Sequence, residues 1–112
     1  MKVYESRYKL DKVLPNIAEM LRLNTKQFSE KILITEKVNG TYRSLTWEEF
    51  YKDVLNIAAN LKNFGFSAGD KLLIFSKNRI EMLELELALM ASGGIAVPIF
   101  FNYNKEIAET LI

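Results

Sequence analysis

Two unbroken apolar runs, Leu72 to Phe75 and Ile95 to Phe101, constrain this chain more than any other feature. Neither alternates apolar with polar residues, so neither reads as a strand with one wet face. Runs of this kind read as strands covered on both faces, as in a parallel sheet. Parallel neighbours need a long crossover, and "NRIEMLELELALMASGG" between the runs supplies one at helical spacing. Strands over 71–76 and 95–101 with a helix over 79–92 therefore predict a βαβ unit, with a right-handed crossover.

The crossover helix takes Asn78 as its cap, with Glu81 three residues on. Ile80, Leu83, Leu87, Met90 and Ala91 line one face. Leu85 and Leu89 widen it, so burial on more than one side is expected. Gly93-Gly94 ends the helix.

Upstream, "LTWEEFYKDVLNIAANLKNFG" predicts a helix over 46–64. Thr46 and Glu49 form a capping box, and Leu45 and Phe50 a hydrophobic staple. Phe50, Val54, Ile57, Ala58 and Leu61 make the buried stripe, and Gly65 supplies a left-handed stop.

Residues 15–45 predict a helix and a hairpin. Pro15 stands at the first helical position, where a missing N–H costs nothing, with Ile17, Met20 and Leu21 on the apolar face. Asn39-Gly40 between β-prone runs predicts a hairpin over 31–38 and 41–45, because both residues tolerate positive φ. Residues 1–14 are a lead-in, with Leu10, Val13 and Leu14 expected to pack.

The division is thus lead-in 1–14, helix and hairpin 15–45, and α/β part 46–112. The last stretch, "FNYNKEIAETLI", opens an amphipathic helix capped by Asn104, with Ile107, Ala108, Leu111 and Ile112 on one face. A helix cut off on its apolar face suggests the front of a larger protein.

Composition excludes several chemistries. There is no Cys and no His, so thiol nucleophiles, disulfides, thiolate metal sites and a Ser-His-Asp triad are all absent. A net charge of +1, from 15 basic and 14 acidic residues, offers no electrostatic footprint for nucleic acid. No apolar run approaches a transmembrane segment, and "MKVYESRYKL" lacks the core of a signal peptide, so a cytoplasmic location is expected.

Five groups are candidates for a site. Gly65 to Gly69 has the glycines of a phosphate loop but follows a helix and enters a strand, the reverse of the required order. It reads as a turn, as does Gly93-Gly94. Glu81, Glu84 and Glu86 read as a solvated face, with no His or Asp beside them to complete a metal site. Trp47 and Tyr51 read as packing. Phe100, Phe101 and Tyr103 differ: they follow the C-terminal end of a parallel strand, where open α/β sheets place ligands.

In order and spacing, these motifs resemble the N-terminal part of the AMP-forming acyl-CoA synthetases, members of the adenylate-forming superfamily. Thr46-Trp47-Glu48-Glu49 matches the family's aromatic helix start. Leu61, Gly65, Gly69, Asp70, Lys71 and Leu72 match its "L-x-x-x-G-[LV]-x-x-G-D-[RK]-[VL]". Asn78 to Glu81 match an Asn-bearing turn. Ala88 or Ala91, with Gly93, Gly94, Ile95, Val97 and Pro98, fits "A-x-x-x-G-[AG]-[IV]-x-V-P". Glu106 to Ile112 match the start of the next helix. The resemblance covers residues 15–112, and "VPIFFNYN" looks most like the long-chain fatty acyl branch.

The resemblance implies a piece of the large AMP-binding domain. The longer enzyme would join a fatty acid to AMP using ATP and magnesium, then pass the acyl group to coenzyme A. Peripheral attachment of that enzyme to a membrane stays open. The family's phosphate loop, adenine-binding stretch, magnesium-handling acid and catalytic Lys have no counterpart in 1–112. No catalytic, cofactor or metal residue is therefore placed on this chain, which by itself is expected to be inactive. Its partners would be the remainder of the enzyme or, through its unpaired edges, copies of itself. The alternative is a stand-alone α/β binding module without catalysis. A receiver-like or flavodoxin-like regulator fits poorly, because Asp70 precedes its strand instead of following it.

Overall fold

The computed structural model describes residues 1–8 and 13–111. Helix α1 (Ile17–Phe28) leads into strands β1 (Ile32–Val38) and β2 (Thr41–Thr46). Helix α2 (Trp47–Asn63), strand β3 (Lys71–Ser76), helix α3 (Ile80–Ala91), strand β4 (Ile95–Phe100) and helix α4 (Lys105–Leu111) follow. The architecture is the expected mixed α/β one: β1 and β2 pair antiparallel, while β3 and β4 pair parallel in a separate two-stranded sheet.

Local chemistry sets most boundaries. Asn39 and Gly40 adopt φ of +50° and +79°, which lets the hairpin reverse in two residues. The Thr46 hydroxyl accepts from the Glu49 N–H at 3.2 Å, and Glu49 Oε2 accepts from the Thr46 N–H at 2.9 Å, completing the capping box. Asn104 Oδ1 accepts from the Ile107 N–H at 2.9 Å. At the start of α1 the expectation shifts by two residues, from Pro15 to Ile17 as the first helical position. Pro15 lies outside the helix, and Asn16 is the cap, accepting from the Glu19 N–H at 2.8 Å.

The core lies where α1, α2 and α3 meet: Leu21, Phe50, Val54, Ile80, Leu87 and Ala88 are buried together. Leu33, Ile34 and Leu45 of the hairpin pack against them, with Trp47, Tyr51, Ile57, Ala58 and Leu61 from α2. The lead-in does not join this core as expected: Val13 is 76% exposed, and Leu10 lies outside the described residues. Ile112 also lies outside them.

The turns after α2 and α3 are stitched together. The Gly69 N–H donates to Gly93 O at 2.8 Å, and the Ile95 N–H to Asp70 O at 2.8 Å. A Cβ on Gly94 would stand 2.5 Å from the Phe66 ring, so this crossing needs a bare α-carbon.

The sheet departs from expectation in one respect. Ile74 is buried beneath α3, but Leu73 and Phe75, which point the other way, are 40% and 52% exposed. The run is apolar on both faces, while the described residues cover only one of them. Amide direction alternates along a strand, so the inward Ile95 N–H places the missing N–H of Pro98 on the outer edge of β4.

Candidate functional site

The C-terminal ends of β3 and β4 open onto an apolar cleft of about 420 Å³, lined by Ser76, Asn78, Met82, Pro98, Ile99 and Phe101. Its size falls within the range of small-molecule pockets. β3 delivers Ser76, and the β3–α3 turn delivers Lys77 and Asn78. The Lys77 ammonium sits 5.3 Å from the Phe101 ring centroid, a cation–π contact across the mouth. The Ser76 hydroxyl donates to the Lys77 carbonyl at 2.9 Å and closes the turn.

The aromatic cluster expected at this end divides. Phe101 lines the cleft, Tyr103 is half-buried nearby in sequence, and the Phe100 side chain lies outside the described set. Lys77 went unread and Asn78 was read only as a helix cap, although the positional rule that picked out the end of β4 applies equally to the end of β3. The lining has an amide and a hydroxyl but no acid–base pair. The arrangement suits holding an apolar group.

A polar network flanks the cleft where the hairpin meets α3. Asn78 does not cap α3. Arg79 occupies the cap position without capping the helix through its side chain, and Glu36 Oε2, from β1, accepts from the Ile80 N–H at 3.0 Å. Arg43 Nη1 of β2 donates to Glu81 Oε1 at 2.7 Å and reaches Glu36 Oε1 at 3.4 Å. Arg79 Nε donates to Glu81 Oε2 at 3.0 Å. The Arg43 hydrogen bond, aided by the helix start and Arg79, holds the Glu81 carboxyl down to about 2. Arg43 is raised in turn, chiefly by Glu81.

The acidic set is therefore not one solvated face. Glu81 is the ion-pair hub, and Glu86 lines a second cavity between the hairpin and α3. Glu84 is only 4% exposed, and its Oε1 has no hydrogen-bond partner. Burial, followed by the facing Asp53 of α2, pushes its carboxyl up to about 7. Leu83 and Met90, expected on the buried face, are 37% and 45% exposed. The buried stripe keeps Ile80 and Leu87 and adds Glu84 and Ala88, at spacings of three and four, while Leu89 is buried beside it as expected. Among the described residues, no three potential metal ligands converge.

Both glycine pairs lie in helix-to-strand turns. The N–H groups of Gly65, Phe66 and Gly69 donate to Lys62, Leu61 and Gly93 carbonyls, and that of Ser67 to Asp70 Oδ2 at 2.8 Å. With those amides engaged, the loop has little left to offer a phosphate, and it lies at the opposite end of the strands from the cleft. Trp47 packs on Phe28, their ring centroids 6.3 Å apart, and Tyr51 packs on the core.

A family model described as AMP-binding enzyme matches residues 21–112. The chain is 28% identical over 91 residues to the long-chain-fatty-acid–CoA ligase FadD15 of Mycobacterium bovis, covering 81% of this chain and 15% of that protein. It is 42% identical over 76 residues to 4-hydroxybutyrate–CoA ligase 2 of Metallosphaera sedula, covering 65% of this chain and 14% of that protein. A solved fatty acyl-adenylate ligase from L. pneumophila, in complex with acyl adenylate and pyrophosphate, superposes with a TM-score of 0.71 at 25% identity. That superposition covers 74% of this chain and 15% of that one. The chain thus spans about 15% of the length of the curated relatives it matches.

Proposed function

The chain belongs to the AMP-binding enzyme family, and from that premise we propose that it is a scaffold segment of an ATP-dependent, AMP-forming ligase. That ligase would activate a long-chain fatty acid as its acyl-adenylate and transfer the acyl group to coenzyme A. The observation that carries the reading is the family match over residues 21–112. The resemblance to FadD15 supports the acid class and the acceptor. The 42% identity to a ligase named for 4-hydroxybutyrate makes a short hydroxy acid the second reading.

ATP and magnesium, which the family implies, do not fit the residues of this chain. The Gly65–Asp70 turn spends its amides internally, and the described residues hold no converging set of metal ligands. The proposal therefore leaves nucleotide and metal to the remainder of the polypeptide, which would also cover the bare face of Leu73 and Phe75. The 112-residue chain by itself would be inactive and would self-associate. Cytosolic placement accords with the described helices, none of which is long and apolar enough to cross a membrane.

The test is acid-dependent exchange between ATP and pyrophosphate, measured on a polypeptide carrying this chain together with the remaining domains of such a ligase. Exchange strongest with long-chain acids, followed by thioester formation with coenzyme A, is the expected result. Strongest exchange with 4-hydroxybutyrate would select the second reading, and no exchange with any acid would overturn both.

A further inference from the structure

We propose that the cleft and the cavity beside it form one binding site for an alkyl phosphomonoester, a dianionic head on a single apolar chain. The adjoining cavity, about 490 Å³, lies between the hairpin tip and the β3–α3 turn. Its walls include Glu36, Lys37 and Asn39 from the hairpin and Lys77, Asn78 and Arg79 from the turn. Asn78 lines the cleft as well, so the two spaces meet at that side chain. Their characters differ. Met82, Pro98, Ile99 and Phe101 make the cleft apolar, and no ionised side chain lines it.

The charges around the adjoining cavity do not cancel. Glu36 is spent: its Oε1 accepts from Arg43 at 3.4 Å and its Oε2 from the Ile80 N–H at 3.0 Å. Glu81 holds Arg43 at 2.7 Å and Arg79 at 3.0 Å. Two carboxylates thus answer two guanidiniums, and Lys37 and Lys77 are left over. The Lys37 ammonium lies 5.4 Å from the Tyr42 ring centroid, and that of Lys77 lies 5.3 Å from the Phe101 centroid. An aromatic face holds an ammonium in place without neutralising it. Among the described residues, neither lysine has a carboxylate partner, and the side-chain amides of Asn39 and Asn78 have no hydrogen-bond partner.

Two unmatched ammoniums and two uncommitted amides around one cavity suit a dianion rich in acceptor oxygens. A phosphomonoester carries about −1.5 to −2 at neutral pH and three such oxygens, whereas a carboxylate brings a single charge. The cleft then selects a head that bears a chain, because an alkyl group buried there leaves water and inorganic phosphate has none to bury. The Lys77–Phe101 contact stands where head meets tail. The site does not depend on the ligase reading: binding needs no nucleotide, and absence of ATP–pyrophosphate exchange would leave it standing.

The test is calorimetric titration of the 112-residue chain with decyl phosphate, decanoate, decanol and inorganic phosphate, each below any micelle concentration. Decyl phosphate should bind most tightly. Lys37→Gln and Lys77→Gln should each weaken it roughly tenfold and leave decanol unchanged. Lys71→Gln removes the same charge at the other end of β3 and should change nothing. Met82→Trp, which fills the cleft, should weaken decyl phosphate several-fold and leave inorganic phosphate unaffected. Decanol, decanoate or inorganic phosphate binding as tightly as decyl phosphate, or an equal effect of Lys71→Gln, would overturn the proposal. If Lys77→Gln does not fold, Lys37→Gln at the exposed hairpin tip decides the matter.

Discussion

Glu36 on the first hairpin strand accepts a hydrogen bond from the backbone N–H of Ile80 at 3.0 Å, across 44 residues of chain. A helix start normally draws its cap from its own flank, yet Arg79 makes no such bond. The hairpin is thereby fastened to the turn that forms one side of the cleft.

Removing that acceptor should be felt at α3. Glu36→Ala is expected to cost roughly 1–2 kcal/mol, the usual range for a lost cap. Glu36→Gln, which keeps an acceptor oxygen, should cost less than half of that. Urea unfolding measures both, and hydrogen exchange should speed up at the Ile80 amide in the first variant only.

The neighbouring ion pair has its own acid signature. Glu81 is depressed below the ordinary carboxylate value, so its contribution is complete above about 4.5 and fades as pH falls toward 2. Arg43→Ala should raise the Glu81 midpoint, as read by carboxyl NMR. With these side chains nearly half exposed, the change in stability should be small.

The crossing of the two helix-to-strand turns makes a steric prediction. Gly94→Ala places a methyl 2.5 Å from the Phe66 ring and should destabilise by about 1–3 kcal/mol. Combined with Phe66→Leu, the cost should fall well below the sum of the single variants, a coupling that a double-mutant cycle measures.

The cleft offers a binding test. Met82 lines both it and the cavity under the hairpin. Met82→Trp should fill much of the 420 Å³ and weaken binding of an apolar fluorescent probe several-fold, with the far-UV spectrum unchanged.

Legibility in the sequence followed the range of the interactions. Thr46 with Glu49, Asn39 with Gly40, and Asn104 were readable because each acts within a few residues of itself. Glu36 was invisible as a cap because its target is a different element. Glu84 was misread because charge suggested solvent, although its spacing from Ile80 and Ala88 places it on the buried stripe. The apolar run of β3 identified a parallel strand correctly, but could not say which of its faces these residues cover. At the cleft, one rule about strand ends located Phe101, while Lys77 and Asn78 needed the three-dimensional turn.

The position of Pro98 makes the two margins of the parallel sheet unequal. Along β3, Lys71, Leu73 and Phe75 each turn both backbone groups away from β4, so that margin is an intact template for another strand. The far margin of β4 has a carbonyl but no donor at Pro98. Recruitment of further strands is thus biased toward the β3 flank, and anything joining beside β4 must tolerate one absent bond.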